Sequence, residues 1–169
     1  KYSNFLELIS TQYPIFPNLM YVVILLFIGT AIINFINFMD GIDGLVGLTM
    51  IISILTCLIK LNLGQPYLVL LFSLFSFVKW NWHPAKVFMG DTGSTFLAAT
   101  NIGLISLSKN YLEAISLLLI LSPCLVDACS CVIRRFYWNQ NIFEAHRLHL
   151  YQRLALNGMN PRKISLLYV

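Results

Sequence analysis

Five long apolar segments alternate with shorter polar segments along this chain. Their expected bounds are 19–36, 45–63, 67–80, 94–107 and 112–133. A helix that spans the hydrocarbon core of a bilayer needs about 20 mainly apolar residues. The pattern therefore predicts an all-α fold, a polytopic integral membrane bundle of about five spanning helices. The final residues, "ISLLYV", indicate the start of another helix.

The composition supports this prediction. Hydrophobic residues make up 58% of the 169 residues, charged residues only 11%, and the mean hydropathy is +0.76. A soluble domain of ordinary composition carries about 25% charged residues. A soluble protein with a very large core is the alternative. The four cysteines lie in apolar segments without a metal or redox spacing, so they predict neither disulfides nor a metal site.

The polar segments near 37–44, 79–94 and 134–163 each follow an odd-numbered helix, so they are expected on one face of the membrane. Eight of the eleven Lys and Arg residues fall on this side. Lys and Arg accumulate on the cytoplasmic side of membrane proteins, which makes this face cytoplasmic. The net charge of +4 is then explained by topology and by an anionic partner at the membrane surface. It does not indicate a nucleic-acid partner.

The first polar segment, "NFINFMDGIDGL", places Asp40 and Asp43 in an apolar context beside Gly41, Gly44 and Gly47. Carboxylates at membrane depth are costly and usually face the protein interior or a wet cavity. Neighbouring glycines let a ligand approach the backbone closely. The segment therefore predicts a ligand or metal site, whereas an ordinary interfacial turn is the simpler alternative.

The second polar segment, "PAKVFMGDTGS", places Asp91 at the expected start of the fourth helix. Free N–H groups at a helix N-terminus attract phosphate, and Mg²⁺ is typically held by one or two carboxylates together with substrate phosphates. Asp91 is thus a candidate metal ligand. The alternative is that Asp91 or Ser94 caps the helix, and capping is compatible with metal binding.

The third polar segment, "EAHRLHLYQRL", carries His146, Arg147 and His149. Histidines three residues apart share one face of a helix, and among arginines they favour contacts to phosphate. A basic amphipathic helix on anionic lipid is the alternative. Elsewhere, His83 is interpreted as an interfacial residue. Asp127 is interpreted as a structural pair with the nearby Arg134 and Arg135, or as a polar contact within the bundle.

The three motifs "NFMDGIDGL", "PAKVFMGDTGS" and "AHRLHLYQRL", in this order and separated by hydrophobic helices, resemble the polyprenyl-phosphate N-acetylhexosamine-1-phosphate transferases. The phospho-N-acetylmuramoyl-pentapeptide transferases are related to this family. The form "HRLHLYQRL" is similar to the branch that initiates O-antigen. The resemblance implies a multi-pass protein of the bacterial inner membrane with its active face cytoplasmic.

The resemblance also implies a reaction. A UDP-N-acetylhexosamine donates its sugar-1-phosphate to undecaprenyl phosphate, which releases UMP and begins a lipid-linked glycan. Mg²⁺, or Mn²⁺ in its place, is the implied cofactor. The implied partners are the nucleotide sugar, the lipid acceptor and membrane lipid, and a homodimer is compatible with them. The sequence does not distinguish the acetylated glucosamine, galactosamine, quinovosamine and fucosamine donors.

By position, the resemblance assigns a role to each motif residue. Asp91 is the implied Mg²⁺ ligand, and Phe88 is implied to stack on the base. His146 and His149 are implied to lie near the phosphates with the assistance of Arg147, and these three are counted with Asp91 as catalytic. The implied nucleotide-binding residues, with Asp43 nearest the uracil, are Asn37, Asp40, Gly41, Asp43, Asn81, Phe88 and Ser94.

One departure from the family pattern is clear. The family carries two adjacent aspartates in its N-terminal half, and no such pair occurs in these 169 residues. We therefore interpret residues 1–169 as a single transmembrane domain, the C-terminal half of a longer transferase, and expect the isolated chain to be inactive. A non-catalytic membrane fragment that binds a nucleotide sugar is one alternative. A transporter or channel is another, although only Asp127 lies clearly within a span.

Overall fold

The computed structural model describes residues 15–141 and 148–169, and all regular structure in these ranges is helical. The all-α prediction is therefore confirmed for the described residues. The helices are α1 (Ile15–Phe38), α2 (Leu45–Leu61), α3 (Pro66–Asn81), α4 (Gly90–Ile105), α5 (Tyr111–Leu118), α6 (Ser122–Tyr137), α7 (Leu150–Leu156) and α8 (Pro161–Leu167).

Helices α1 to α4 follow the predicted apolar segments closely, with one useful difference. Helix α4 begins at Gly90 rather than at residue 94, so the "GDTGS" motif forms its first turn. The fifth predicted segment is divided, because a short 3₁₀ turn at Leu119–Leu121 separates α5 from α6. Pro123 explains the break, since its ring would clash with the carbonyl four residues earlier in a continuous helix.

The core lies where α1 packs against α4 and α6, and where α2 packs against α3 and α4. Met39, Met50, Ile54 and Leu117 are completely buried there. The outer surface is also apolar: Phe27 is 77% exposed and Leu112 is 80% exposed. By length and apolar composition, the stretch Tyr111–Tyr137 could cross a membrane, and shorter apolar helices cover Val22–Phe38, Leu45–Leu61 and Pro66–Asn81.

The described parts of the three polar segments meet at one end of the bundle. The loop between α1 and α2 is bonded to the end of α3, since the Gly44 N–H donates to the side-chain oxygen of Asn81. It is also bonded to α7, since the Tyr151 hydroxyl donates to the Phe38 carbonyl at 3.0 Å. Helix α8 reaches the same loop through Ser165. Three regions distant in sequence therefore build one site.

Candidate functional site

A polar cleft of about 200 Å³ opens between the α1–α2 loop and the start of α4. It brings together most of the residues predicted from the first two motifs. Its lining consists of Asp40, Gly41, Ile42, Asp43, Asn81, Phe88, Met89, Gly90 and Asp91. Asn37 and Ser94 are not part of this lining. Instead, the Ser94 hydroxyl donates to the Asn37 side-chain oxygen and ties α4 to α1.

Asp40 and Asp91 both line this cleft, and the charge of Asp91 acts on the Asp40 carboxylate. Burial raises the pKa of Asp40 to about 6, the nearby Asp91 carboxylate adds to the rise, and the Gly90 backbone N–H partly offsets it. The negative charge of Asp91 disfavours ionisation of Asp40, and a bound cation would relieve that repulsion. The pair therefore supplies the electrostatic environment that a divalent cation favours.

The start of α4 forms an open wall of the cleft. Phe88 is 76% exposed, and no atom lies within 4 Å of the position that a Cβ on Gly90 would take. Gly90 has a φ of 67°, a left-handed conformation that suits glycine. The alternative that Asp91 or Ser94 caps the helix does not hold, because Met89 is the N-cap residue and both lie inside the helix. The first turn of α4 thus lies at the cleft, where its Gly90 N–H bonds to the Asp40 carboxylate.

The glycines of the α1–α2 loop serve a purpose different from the predicted one. A Cβ on Gly41 would lie 2.3 Å from the Tyr151 hydroxyl, and one on Gly44 would lie 2.6 Å from the Trp82 ring. A Cβ on Gly47, the first turn of α2, would lie 2.6 Å from Val78. These glycines therefore admit side chains of the protein itself, and close approach to a ligand is not what requires them.

Asn81 joins the two loops from a buried position. Its side-chain oxygen accepts the Gly44 N–H at 3.0 Å, and its amide nitrogen donates to the Val87 carbonyl at 2.9 Å. Gly44 has a φ of 77°, so the loop reverses direction at the residue that Asn81 holds. Asn81 therefore lines the cleft and also fixes its shape.

Asp43 is held by the segment that precedes α4. His83 Nδ1 lies 2.7 Å from Asp43 Oδ2, and the Ala85 N–H donates to the same oxygen at 3.1 Å. The interpretation of His83 as an interfacial residue did not include this contact. The available signal was position alone: His83 stands two residues after Asn81 and just before the "PAKVFMGD" motif.

Comparison with known proteins assigns this arrangement to a family. The profile of glycosyl transferase family 4 matches residues 2–109, which include the whole lining of the cleft. The chain belongs to glycosyl transferase family 4. This confirms the resemblance on which the sequence analysis relied.

Individual members of glycosyl transferase family 4 align with part of the chain. It is 36% identical over 101 residues to a probable undecaprenyl-phosphate N-acetylglucosaminyl 1-phosphate transferase of Bacillus subtilis (56% of the chain, 28% of the relative). It is 35% identical over 97 residues to a phospho-N-acetylmuramoyl-pentapeptide-transferase of Desulfitobacterium hafniense (56% and 28%). It is 30% identical over 114 residues to a decaprenyl-phosphate N-acetylglucosaminephosphotransferase of Mycobacterium leprae (59% and 29%). The chain thus aligns with less than a third of the length of each relative.

The histidine motif of this family member is only partly described. His146 and Arg147 lie outside the described residues. His149 is buried at 3% exposure, its ring stacks on Tyr151, and its Nδ1 lies 3.6 Å from Asp127 Oδ1. It is not part of the cleft lining. The structure therefore brings Asp40, Asp43, Phe88 and Asp91 together in the cleft. His149 is instead buried within the bundle, outside the cleft lining.

Asp127 anchors that segment to α6. Its carboxylate accepts the Leu150 N–H at 2.7 Å, the Tyr151 N–H at 3.2 Å and the Tyr168 hydroxyl at 2.6 Å. The polar contact predicted for Asp127 is thus present, and the start of α7 supplies its partners. Arg134 instead donates to the Leu148 carbonyl, and Arg135 donates to the Asn141 carbonyl.

The cleft suits Mg²⁺ by the chemistry of its donors. Within residues 15–141 and 148–169, no group of three or more His, Cys, Asp or Glu side chains is placed to hold a metal ion. Mg²⁺ usually keeps several waters and takes one or two carboxylates plus substrate phosphates. Asp91, with Asp40 beside it in the cleft lining, provides that smaller set.

Proposed function

We propose that this chain forms the donor-binding part of a membrane transferase. The enzyme moves N-acetylhexosamine-1-phosphate from a UDP-sugar to undecaprenyl phosphate, which releases UMP and starts a lipid-linked glycan such as O-antigen. One observation carries the proposal: a single cleft combines two neighbouring carboxylates, an exposed aromatic ring and an open helix N-terminus. The family membership and the names of the relatives support it.

Each part of the cleft has a role in donor binding. The exposed ring of Phe88 stacks on the uracil, and Asp43 accepts a hydrogen bond from it. The N-terminus of α4, whose Gly90 N–H bonds to Asp40, faces the diphosphate, and its partial positive charge attracts phosphate oxygens. Asn81, Asp40 and Gly41 complete the pocket. Asn37 and Ser94 support it by joining α1 to α4.

Asp91 would hold Mg²⁺, or Mn²⁺, with Asp40 beside it. When bound, the metal ion would offset negative charge on the donor diphosphate while the lipid phosphate attacks. The protein must also align the donor diphosphate with the lipid phosphate, because phosphoryl transfer depends mainly on positioning and electrostatic stabilisation. His146, Arg147 and His149 are proposed to act near the phosphates. The bonds from Asp127 to the Leu150 and Tyr151 N–H groups fix the end of their segment.

The proposed location is the bacterial inner membrane, with the cleft on the cytoplasmic face. The exposed apolar side chains of the helices, such as Phe27, Ile59 and Phe72, suit lipid contact. Eight of the eleven basic residues lie on the side of the three motifs, which fits the positive-inside rule. Membrane lipid is therefore a proposed partner, and a homodimer is compatible with this arrangement.

The lipid acceptor is proposed to need more protein than this chain supplies. The chain aligns with less than a third of each relative and contains no adjacent pair of aspartates. We propose that an upstream half carries that pair and completes the acceptor site, and that residues 1–169 alone do not turn over. A non-catalytic fragment that binds a nucleotide sugar is the second candidate, favoured because the whole cleft lies within one chain.

The decisive experiment compares the complete transferase with residues 1–169 alone. Each is purified in detergent and incubated with undecaprenyl phosphate, Mg²⁺ and one of several UDP-N-acetylhexosamines. We expect the complete enzyme to form a polyprenyl-diphospho-sugar and UMP, identified by mass spectrometry, and to stop when EDTA removes the metal. Absence of product with every donor would refute the transferase, and turnover by the isolated chain would refute the need for an upstream half.

A further inference from the structure

The contact between Asp43 and His83 has a one-sided geometry. Both hydrogen bonds to the Asp43 carboxylate, from His83 Nδ1 at 2.7 Å and from the Ala85 N–H at 3.1 Å, fall on Oδ2. The other oxygen, Oδ1, accepts no hydrogen bond from the described residues. Since a carboxylate only accepts, His83 Nδ1 carries the proton of this bond. The carboxylate is therefore held in one orientation with one oxygen left for a ligand.

A carboxylate held in this way is suited to a single donor group. Asp43 lines the cleft, and an unpaired Oδ1 there matches one N–H group, such as the imide N–H of a pyrimidine. A freely rotating carboxylate would lose side-chain entropy on binding, whereas a fixed one has lost it already on folding. The bond from His83 thus acts on the affinity of the cleft, although His83 itself is not part of its lining.

Helix α8 holds both members of this pair through their backbone carbonyls. The Arg162 Nε donates to the His83 carbonyl at 2.8 Å, and the Ser165 hydroxyl donates to the Asp43 carbonyl at 2.9 Å. Arg162 and Ser165 are three residues apart, so they lie on one face of the helix. The start of α8 is itself fixed, because the Asn160 side chain accepts the Arg162 N–H and Pro161 occupies the first turn.

We propose that His83 is a positioning residue for the donor nucleotide, that it acts by orienting Asp43, and that α8 clasps the pair through Arg162 and Ser165. This inference rests on the proposed function, because it presumes a nucleotide in the cleft. It extends that function to residues outside the cleft, one on the α3–α4 loop and two on a helix that begins nearly 80 residues later.

The test of His83 uses two substitutions in the complete transferase. His83→Ala removes the N–H donor, whereas His83→Asn keeps an N–H group near the position of Nδ1. Loss of a hydrogen bond to a charged group costs roughly 1.5–3 kcal/mol, which corresponds to about a tenfold to hundredfold change. The cost of ordering the Asp43 side chain on binding is smaller than the loss of the bond itself and corresponds to about a two- to tenfold change in affinity. We therefore expect His83→Ala to raise the KM for the UDP-sugar and the Kd for UDP several-fold, up to about tenfold, and His83→Asn to recover most of that loss.

Several readouts separate positioning from a merely structural role. In His83→Ala, kcat and the KM for undecaprenyl phosphate should stay near the wild-type values. The double variant Asp43→Ala/His83→Ala should bind UDP no more weakly than Asp43→Ala alone, because His83 acts only through Asp43. Equal impairment of His83→Ala and His83→Asn, or full additivity in the double variant, would overturn the proposal.

The clasp is tested with a matched pair on α8. Arg162→Ala should raise the KM for the UDP-sugar several-fold, whereas Lys163→Ala, the adjacent exposed cation, should leave it unchanged. Equal KM values for the two variants would remove α8 from the proposal. If Asp43→Ala itself leaves UDP binding intact, the proposed function fails. If Asp43→Ala weakens binding and His83→Ala does not, only the present inference fails.

Discussion

The two walls of the cleft are built in opposite ways. The α1–α2 loop is packed against other parts of the protein. Tyr151 lies against Gly41, Trp82 lies against Gly44, and His83 is hydrogen-bonded to one oxygen of Asp43. The start of α4 is open, with Phe88 and Asp91 exposed and free space around Gly90. Both walls line the cleft and both combine Asp with Gly in the sequence, yet Gly41 and Gly44 pack against protein side chains, whereas Gly90 has free space around it.

This difference separates residues that shape the site from residues that bind. In the α1–α2 loop, which Tyr151 and Trp82 buttress, substitutions of the packed glycines should act first on folding, because an added Cβ disturbs side chains from other regions of the chain. Substitutions in the open wall should act on ligand binding or turnover while the fold persists. A variant of a packed loop glycine that folds normally, or a variant of the open wall that unfolds, would therefore contradict this division.

The largest effect is expected for Asp91→Asn in the open wall. A bound metal ion contributes several kcal/mol of charge stabilisation, so its loss should lower kcat about a thousandfold. Asp91 is exposed and its side chain makes no hydrogen bond to the described residues, so the unfolding temperature should stay near the wild-type value. Thr92→Ala, at the exposed neighbouring position, is the control and should remain active. Normal Mg²⁺-dependent turnover by Asp91→Asn would remove Asp91 from the metal site.

The next effect is expected for Gly44→Ala in the buttressed loop. The added Cβ meets the Trp82 ring and sits at a left-handed φ of 77°. Together, strain and overpacking should cost about 3 kcal/mol of folding free energy. Gly90→Ala is the matched control, because it has a similar φ but open space, and should cost only about 1 kcal/mol. Thermal unfolding in detergent measures both, and equal destabilisation would contradict the contrast between the walls.

A smaller effect is expected for Phe88→Ala. Stacking of a base on an aromatic side chain is worth about 1–3 kcal/mol, so UDP should bind roughly tenfold more weakly by isothermal titration calorimetry. The fold should be unaffected, since Phe88 is 76% exposed. Phe96→Ala, an exposed aromatic further along α4, serves as the control and should bind UDP normally. A Phe88 variant with wild-type affinity would show that the base lies elsewhere.

The smallest effect is expected for Lys86→Ala. The Lys86 ammonium lies 5.3 Å from the centroid of the Trp80 ring, and Lys86 and Trp80 are both exposed. A cation–π contact at an exposed site contributes about 0.5 kcal/mol. We therefore expect a shift of the unfolding temperature near the limit of detection and unchanged UDP affinity. A large loss of affinity would instead place Lys86 among the groups that bind phosphate.

The sequence predicts the helices well because apolar runs and their Gly and Pro boundaries are local signals. The division between α5 and α6 was missed even though Pro123 was visible, because the long apolar run around it favoured one continuous helix. Five of the seven predicted nucleotide-binding residues line the cleft, as does the predicted metal ligand Asp91, since each lies in or next to one of the two loops that border it.

The remaining features depend on partners that are distant in sequence. Nothing near Gly41 indicates Tyr151, and nothing near Asp43 indicates His83 or Ser165. Asp127 was predicted to pair with nearby arginines or to make a polar contact within the bundle, and its partners include the N–H groups of residues 23 and 24 positions later. Such pairings are set by how the helices pack, so a local pattern reports the presence of a polar group and leaves its partner undetermined.

The buttress behind the α1–α2 loop also has a consequence for biosynthesis. The bonds from Tyr151 to Phe38 and from Ser165 to Asp43 join residues that are 113 and 122 positions apart. After the α1–α2 loop has left the ribosome, every intervening helix must still be synthesised before either hydrogen bond can form. The wall that looks most rigid in the finished protein is thus the last to be secured, and nascent chains arrested before Tyr151 should not retain UDP.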